Sequence, residues 1–186
     1  TRSRWRKVYL KMIRIGIIGG IGSGKSFIAR LFKYPVFNAD KEVETIYKKN
    51  YDCYIKLKKK LPNFIQGFPV KKKELIQAIS HNKKNLTKIS SVVHPIVRNK
   101  LIIFLKKNKN KIVVLDIPLL IENRLNKSGD ILIFVKSKQN KILNRLKNRT
   151  NYNLKLFKNL KENQVILSKK RRLANYIIDN NFSPNI

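Results

Sequence analysis

Eight residues, Gly19-Gly20-Ile21-Gly22-Ser23-Gly24-Lys25-Ser26, satisfy the pattern G-x-x-x-x-G-K-[ST] at every fixed position and hold four of the chain's seven glycines. Glycine lets a backbone bend until several N–H groups point at one anion, and no Cβ blocks the approach. Within this pattern the lysine, Lys25, reaches β- and γ-phosphates, and the hydroxyl of Ser26 is a ligand for Mg²⁺. Gly20, Ile21, Gly22, Ser23, Gly24, Lys25 and Ser26 are therefore the candidate nucleotide-binding residues, and the ligand implied is a nucleoside triphosphate such as ATP.

Only ten acidic residues occur in the chain, so their placement carries information. Asp40 and Asp116 each follow a short apolar run of strand type. In a parallel sheet the carboxyl ends of the strands line the ligand crevice, so both carboxylates should project toward the nucleotide phosphates. Phosphoryl transfer needs a divalent cation, further cations on the equatorial oxygens and a group to receive the acceptor's proton. Asp40 suits the last role, and Asp116 suits Mg²⁺ together with Ser26. The structural alternative for each is a helix N-cap or turn aspartate. Glu122 fits a buried salt bridge or a helix start as well as a substrate contact. Arg145 and Arg149 lie four apart, hence on one helix face, where their guanidinium groups could fork onto phosphate oxygens as part of a mobile cap or remain solvated.

The elements that must position these groups follow from periodicity. Ile13–Ile18 is a β-branched run, and Phe27–Phe32 continues as an apolar-faced helix, so the glycine-rich stretch lies between a strand and a helix as its chemistry requires. Short strands are expected at Tyr34–Asn38, Lys111–Asp116, Asp130–Val135 and Tyr176–Ile178. Residues 41–110 show helical spacing, with Val43, Ile46 and Tyr47 on one face and Tyr54, Ile55, Leu57 and Leu61 on another. A longer helix is expected from Pro95 through Phe104. Short apolar strands alternating with helices imply an α/β fold, a parallel sheet covered on both faces.

Length and composition suit one domain of 186 residues with 42% apolar content. No apolar run approaches the roughly 18–20 residues of a membrane span. The single Cys53 cannot form an internal disulfide, and a reducing, cytoplasmic setting follows. The formal charge of +33 points toward nucleic acid, but the lysines are scattered, and Lys, Asn and Ile together supply 78 residues against 17 for Ala, Gly and Pro. That skew is what A/T-rich coding produces. A nucleic-acid partner is therefore not expected, nor a membrane one. Lys58–Lys60 and Lys71–Lys73 read as solvated surface. Thr1–Lys11 carries no apolar core of a secretory signal and is left out of the fold.

Along residues 12–182 the chain resembles the dephospho-CoA kinase family. Ile17–Ser26 is similar to its opening "TGGIGSGKS", with Ile18 at the usual threonine. Asn38-Ala39-Asp40 resembles "DAD", whose second aspartate is taken as the catalytic base, a role the resemblance gives to Asp40. The first aspartate is Asn38 here. His94-Pro95 matches a pair opening a helix of the acceptor-binding region. Pro118-Leu119-Leu120-Ile121-Glu122 is similar to "PLLFE". Arg145 and Arg149 fall where the family has lid arginines. Gln164 and Ala174–Asn180 resemble the "ADYVIDN" ending, with Asn175 for its aspartate.

The resemblance implies a three-layer P-loop kinase fold of about five strands over residues 12–186. It also implies a helical acceptor-binding region at about 41–110 and a small lid at about 145–170. Its activity would be transfer of the ATP γ-phosphate to the 3′-hydroxyl of dephospho-CoA. Catalytic roles would fall to Asp40, Lys25 and Arg145, nucleotide contact to Arg149, and acceptor contacts to His94 and Glu122, in a monomer or small homo-oligomer. Two alternatives remain at this point: a P-loop kinase of another small hydroxyl acceptor, and a basic nucleic-acid-binding NTPase.

Overall fold

The computed structural model describes residues 12–109, 111–138, 140–142 and 166–180. Residues 1–11, and with them the reading of Thr1–Lys11, lie outside the described residues, as do Arg145, Arg149 and Gln164. The chain divides into two compact units. One, the sheet unit, falls within Thr1–Phe37, Phe104–Thr150 and Gln164–Ile186; the described part of the other, the helical unit, is Asn38–Ile103.

Five strands, β1 (Ile13–Gly19), β2 (Val36–Asn38), β3 (Ile112–Asp116), β4 (Ile131–Lys136) and β5 (Tyr176–Asp179), form one sheet in the order β2-β3-β1-β4-β5. β1 runs parallel to both β3 and β4, and β4 to β5. At the β3 edge, the Val114 N–H donates to the Pro35 carbonyl just ahead of β2 at 2.9 Å. The central strand is apolar on both faces because both are covered. Ile15 and Ile17 join Val114, Ile133, Val135 and, from α1 (Lys25–Leu31), Ile28 and Ala29 in one cluster. On the strand position between them, a Cβ on Gly16 would stand 2.6 Å from Leu120 Cδ2 and 2.8 Å from Leu132 Cδ2. Glycine there lets the segment after β3 lie close against β1.

The helical unit holds α2 (Ala39–Lys49), α3 (Tyr51–Lys60), α4 (Lys72–His81) and most of α5 (Lys84–Lys107). Its core gathers Ile46, Cys53, Leu57, Leu61, Ile65, Val70, Leu75, Ala78, Ile89, Val92 and Val93. Asn38 and Asn50 start α2 and α3 by accepting the N–H groups of Lys41 at 2.8 Å and Cys53 at 2.7 Å. Burial pushes the Cys53 thiol up to about 11, so it stays protonated at neutral pH and acts as a small apolar core residue.

Two sequence expectations change here. The long helix begins at Lys84, not Pro95, and Pro95 lies inside it. Proline lacks a backbone N–H and argues locally for a helix start. In place, Ile89, Val92 and Val93 are buried one to two turns earlier, and packing of that face carries the helix through the proline. Ile55 was expected on the packed face of α3 but is 47% exposed; Cys53 and Leu57 are the buried positions, four apart.

Lys59, Lys60 and Lys71–Lys73 are exposed, as solvated lysines should be, whereas Lys58 is partly buried and donates to the Pro62 carbonyl at 3.4 Å. Among the described residues no helix is long and apolar enough to cross a membrane.

A buried ion pair closes the amino end of the sheet. Arg14 Nη2 lies 3.0 Å from Asp130 Oδ2, both side chains 6% or less exposed, and donates to the Leu125 carbonyl at 2.9 Å. Removing one partner strands a buried charge. Asp130→Ala should therefore cost about 3–5 kcal/mol of unfolding free energy. Asp179→Ala, which breaks the half-exposed Lys136–Asp179 pair, should cost less than about 1 kcal/mol. Urea unfolding of the two variants beside the parent chain measures the difference.

Candidate active site

β1 ends in the glycine-rich turn, and α1 begins at its far side with Lys25. The turn needs backbone torsions that side chains resist. Gly19 has φ +148°, and a Cβ there would lie 2.6 Å from the Val135 carbonyl oxygen. Gly24 sits at φ 90°, ψ 22°, left-handed, as the N-cap of α1. Its carbonyl accepts the N–H groups of Phe27 at 3.0 Å and Ile28 at 3.1 Å, which starts the helix. The ammonium of Lys25 folds back to donate to the carbonyls of Gly20 at 2.7 Å and Gly19 at 3.3 Å. Its charge is thus held over the turn by the turn's own oxygens.

Ser26 is exposed in the first turn of α1. Asp116 ends β3 and is 3% exposed. The register pairs Leu115 with Gly16, so Asp116 falls one step on, at the carboxyl end of the sheet beside the strand that feeds the turn. A hydroxyl and a carboxylate are hard oxygen donors, the kind Mg²⁺ takes alongside substrate phosphates. The residues present fit that ion.

Glu122 has a defined partner. Its Oε1 lies 2.7 Å from the Nζ of Lys170, which is 1% exposed and sits on α6 (Leu167–Leu173). Of the readings open to Glu122, the buried salt bridge is the one with a visible contact. The pair ties α6 to the segment after β3. One helical turn before Lys170, Leu167 lies over the glycine turn, with its methyls 3.5 and 3.6 Å from where a Gly20 Cβ would be.

Asp40 lies in the first turn of α2, exposed, two residues beyond the end of β2. His94 lies on α5, and burial lowers its imidazole from the usual 6.5, with the Arg98 guanidinium one turn on adding to the effect. The sheet unit brings together the glycine turn, Ser26, Asp116 and Glu122, while Asp40 and His94 belong to the helical unit.

Sequence reasoning assigned no role to three residues that hold this site. The Ser23 carbonyl accepts Ser137 Oγ at 2.9 Å and Asn180 Nδ2 at 2.9 Å. Lys170 was one cation in a basic stretch. Asn180 carried a signal, since it closes the Tyr176–Asn180 segment that resembles "YVIDN"; Ser137 and Lys170 carried none.

A parallel sheet in this order, with the glycine-lysine turn leaving its central strand, defines a P-loop kinase. A structure of TT1252 from Thermus thermophilus superposes with a TM-score of 0.75 at 26% identity, covering 91% of this chain and 89% of that one. A dephospho-CoA kinase from Campylobacter jejuni shares the fold, with a TM-score of 0.60 at 22% identity over 92% of this chain and 90% of its own.

The family model for dephospho-CoA kinase matches residues 13–185. The dephospho-CoA kinase of Wolbachia sp. subsp. Brugia malayi (strain TRS) is 33% identical over 175 residues, 91% of this chain and 89% of its own length. That of Zymomonas mobilis is 32% identical over 173 residues, 91% and 88% of the two chains. The chain belongs to the dephospho-CoA kinase family.

Two outcomes follow from the geometry. Gly19→Ala forces a methyl against a backbone carbonyl at a left-handed residue, so it should cost about 1–3 kcal/mol of stability and weaken nucleotide binding together. Melting curves with and without ATP measure both. His94 has a folded pKa below its unfolded one, so between the two values the unfolded chain binds more protons. Stability should therefore fall as pH drops below about 6.5, and His94→Gln should flatten that part of the profile. Urea midpoints at pH 7.5 and 5.5 test it.

Proposed function

We propose that this chain transfers the γ-phosphate of ATP to the 3′-hydroxyl of dephospho-CoA, giving CoA and ADP. The observation that supports it most is the glycine turn itself, with Lys25 over it and Asp116 buried at the adjacent strand end. That arrangement sits within a chain whose family match runs through nearly all of its length.

The residue roles follow from chemistry. The backbone N–H groups of Gly20–Ser26 cradle the donor phosphates, and Lys25, held over the turn, meets the β- and γ-phosphate oxygens. Ser26 and Asp116 hold Mg²⁺, which when bound neutralises phosphate charge. Asp40, exposed in the first turn of α2, accepts the proton of the attacking hydroxyl as general base. Arg145 and Arg149 supply cations to the transferring group and the nucleotide. The helical unit, with His94 on α5, receives the acceptor. Glu122 works by keeping α6 in place through Lys170.

An ADP-release assay over a panel of acceptors is the decisive experiment. Turnover with dephospho-CoA and none with nucleoside monophosphates is the expected result; the reverse would sink the proposal. Asp40→Asn should lower kcat by at least about a hundredfold while ATP still binds, since a positioned general base contributes roughly 10²–10⁴. Lys25→Ala should reduce both nucleotide binding and turnover.

A further inference from the structure

The Ser23 carbonyl lies in the middle of the glycine turn, yet its hydrogen bonds come from the ends of two other strands. Ser137, directly after β4, donates its hydroxyl to it at 2.9 Å, and Asn180, directly after β5, donates its side-chain N–H at 2.9 Å. These contacts bridge 114 and 157 residues of sequence. Asn180 is fully buried, and its own backbone N–H donates to the Lys136 carbonyl at 2.8 Å. The root of the side chain is therefore fixed to the sheet, and the amide is shut off from bulk solvent.

Two donors on one carbonyl occupy both of its lone pairs and fix the plane of the peptide that carries it. Among the described residues the only cis peptide bond is Phe68–Pro69, so Ser23–Gly24 is trans. In a trans peptide the N–H points opposite to the C=O. With the Ser23 oxygen drawn toward Ser137 and Asn180, the Gly24 N–H is turned the other way. The glycine-lysine motif sets phosphate oxygens against the N–H groups of this turn. Gly24 is left-handed and has no side chain to resist rotation, so this plane needs an external hold.

We infer that Asn180 and Ser137 are positioning residues for the donor phosphates, keeping the Ser23–Gly24 peptide turned so that the Gly24 N–H remains aimed at the nucleotide. The inference rests on the donor-site reading above. Asparagine suits the role where aspartate would not. A carboxylate at neutral pH offers no donor and would set an oxygen against the Ser23 carbonyl.

The test measures ATP and ADP binding by calorimetry, with steady-state kinetics and melting temperatures, for Asn180→Ala, Asn180→Asp, Ser137→Ala and Ser137→Thr. Loss of one such hydrogen bond should weaken ATP and ADP binding on the order of tenfold in Asn180→Ala and somewhat less in Ser137→Ala. Asn180→Asp should weaken them more than Asn180→Ala. The KM for ATP should rise in step, the KM for dephospho-CoA should stay within about twofold, and Ser137→Thr, which keeps the hydroxyl, should recover the parent affinity.

A purely structural role predicts lowered melting temperatures with nucleotide affinity within about twofold of the parent, and that result overturns the inference. If the Asn180 variants fail to fold, Ser137→Ala against Ser137→Thr decides it by the same criterion. A parent chain that binds no ATP would remove the donor-site reading itself. A parent that binds ATP no more tightly than Ser137→Ala and Asn180→Ala would remove only this inference.

Discussion

A loop that turns its N–H groups toward one anion must turn its carbonyls away, and a carbonyl left without a donor is costly. In this molecule the outward oxygens of the glycine turn are supplied from three directions. The Gly19 and Gly20 oxygens take the Lys25 ammonium. The Gly24 oxygen takes the first N–H groups of α1, and the Ser23 oxygen takes side chains from the ends of β4 and β5. The sheet, the helix and the lysine thus meet one requirement of a single turn. Strand order matters for the same reason: β4 must lie beside β1, and β5 beside β4, before those donors come within reach.

Two of the ten carboxylates neutralise buried cations. In a chain of formal charge +33, Asp130 neutralises Arg14 at the amino end of the sheet, and Glu122 neutralises Lys170 against the segment after β3. Both cations are nearly or fully enclosed, where an unpaired charge would be far more costly than at the surface. The exposed lysines need no such partner, which is how a composition this lopsided remains compatible with a packed α/β fold.

Two places where the chain departs from the family's pattern have one explanation. Asn38 and Asn175 each stand where the resemblance to the family sets an aspartate. Asn38 Oδ1 accepts the Lys41 N–H at 2.8 Å to start α2, and Asn175 Oδ1 accepts the Leu132 N–H at 2.8 Å beside β4. Both uses need only an oxygen acceptor, which the amide provides as well as the carboxylate. A charge at either position is dispensable for these contacts.

The strands, the glycine turn and the aspartate that ends β3 were legible in the residues because each is a local matter. β-branched runs, glycine spacing and an aspartate after an apolar strand act through neighbouring torsions and side chains. The start of α5 was misjudged for the complementary reason: Pro95 is a strong local signal, and distant packing of Ile89, Val92 and Val93 overrides it. No local pattern could show that Ser137 and Asn180 share one carbonyl oxygen, or that Lys170 meets Glu122. Those pairings depend on which elements lie side by side, and the contacts of Ser137 and Asn180 with Ser23, across more than a hundred residues, exist only once the sheet has assembled.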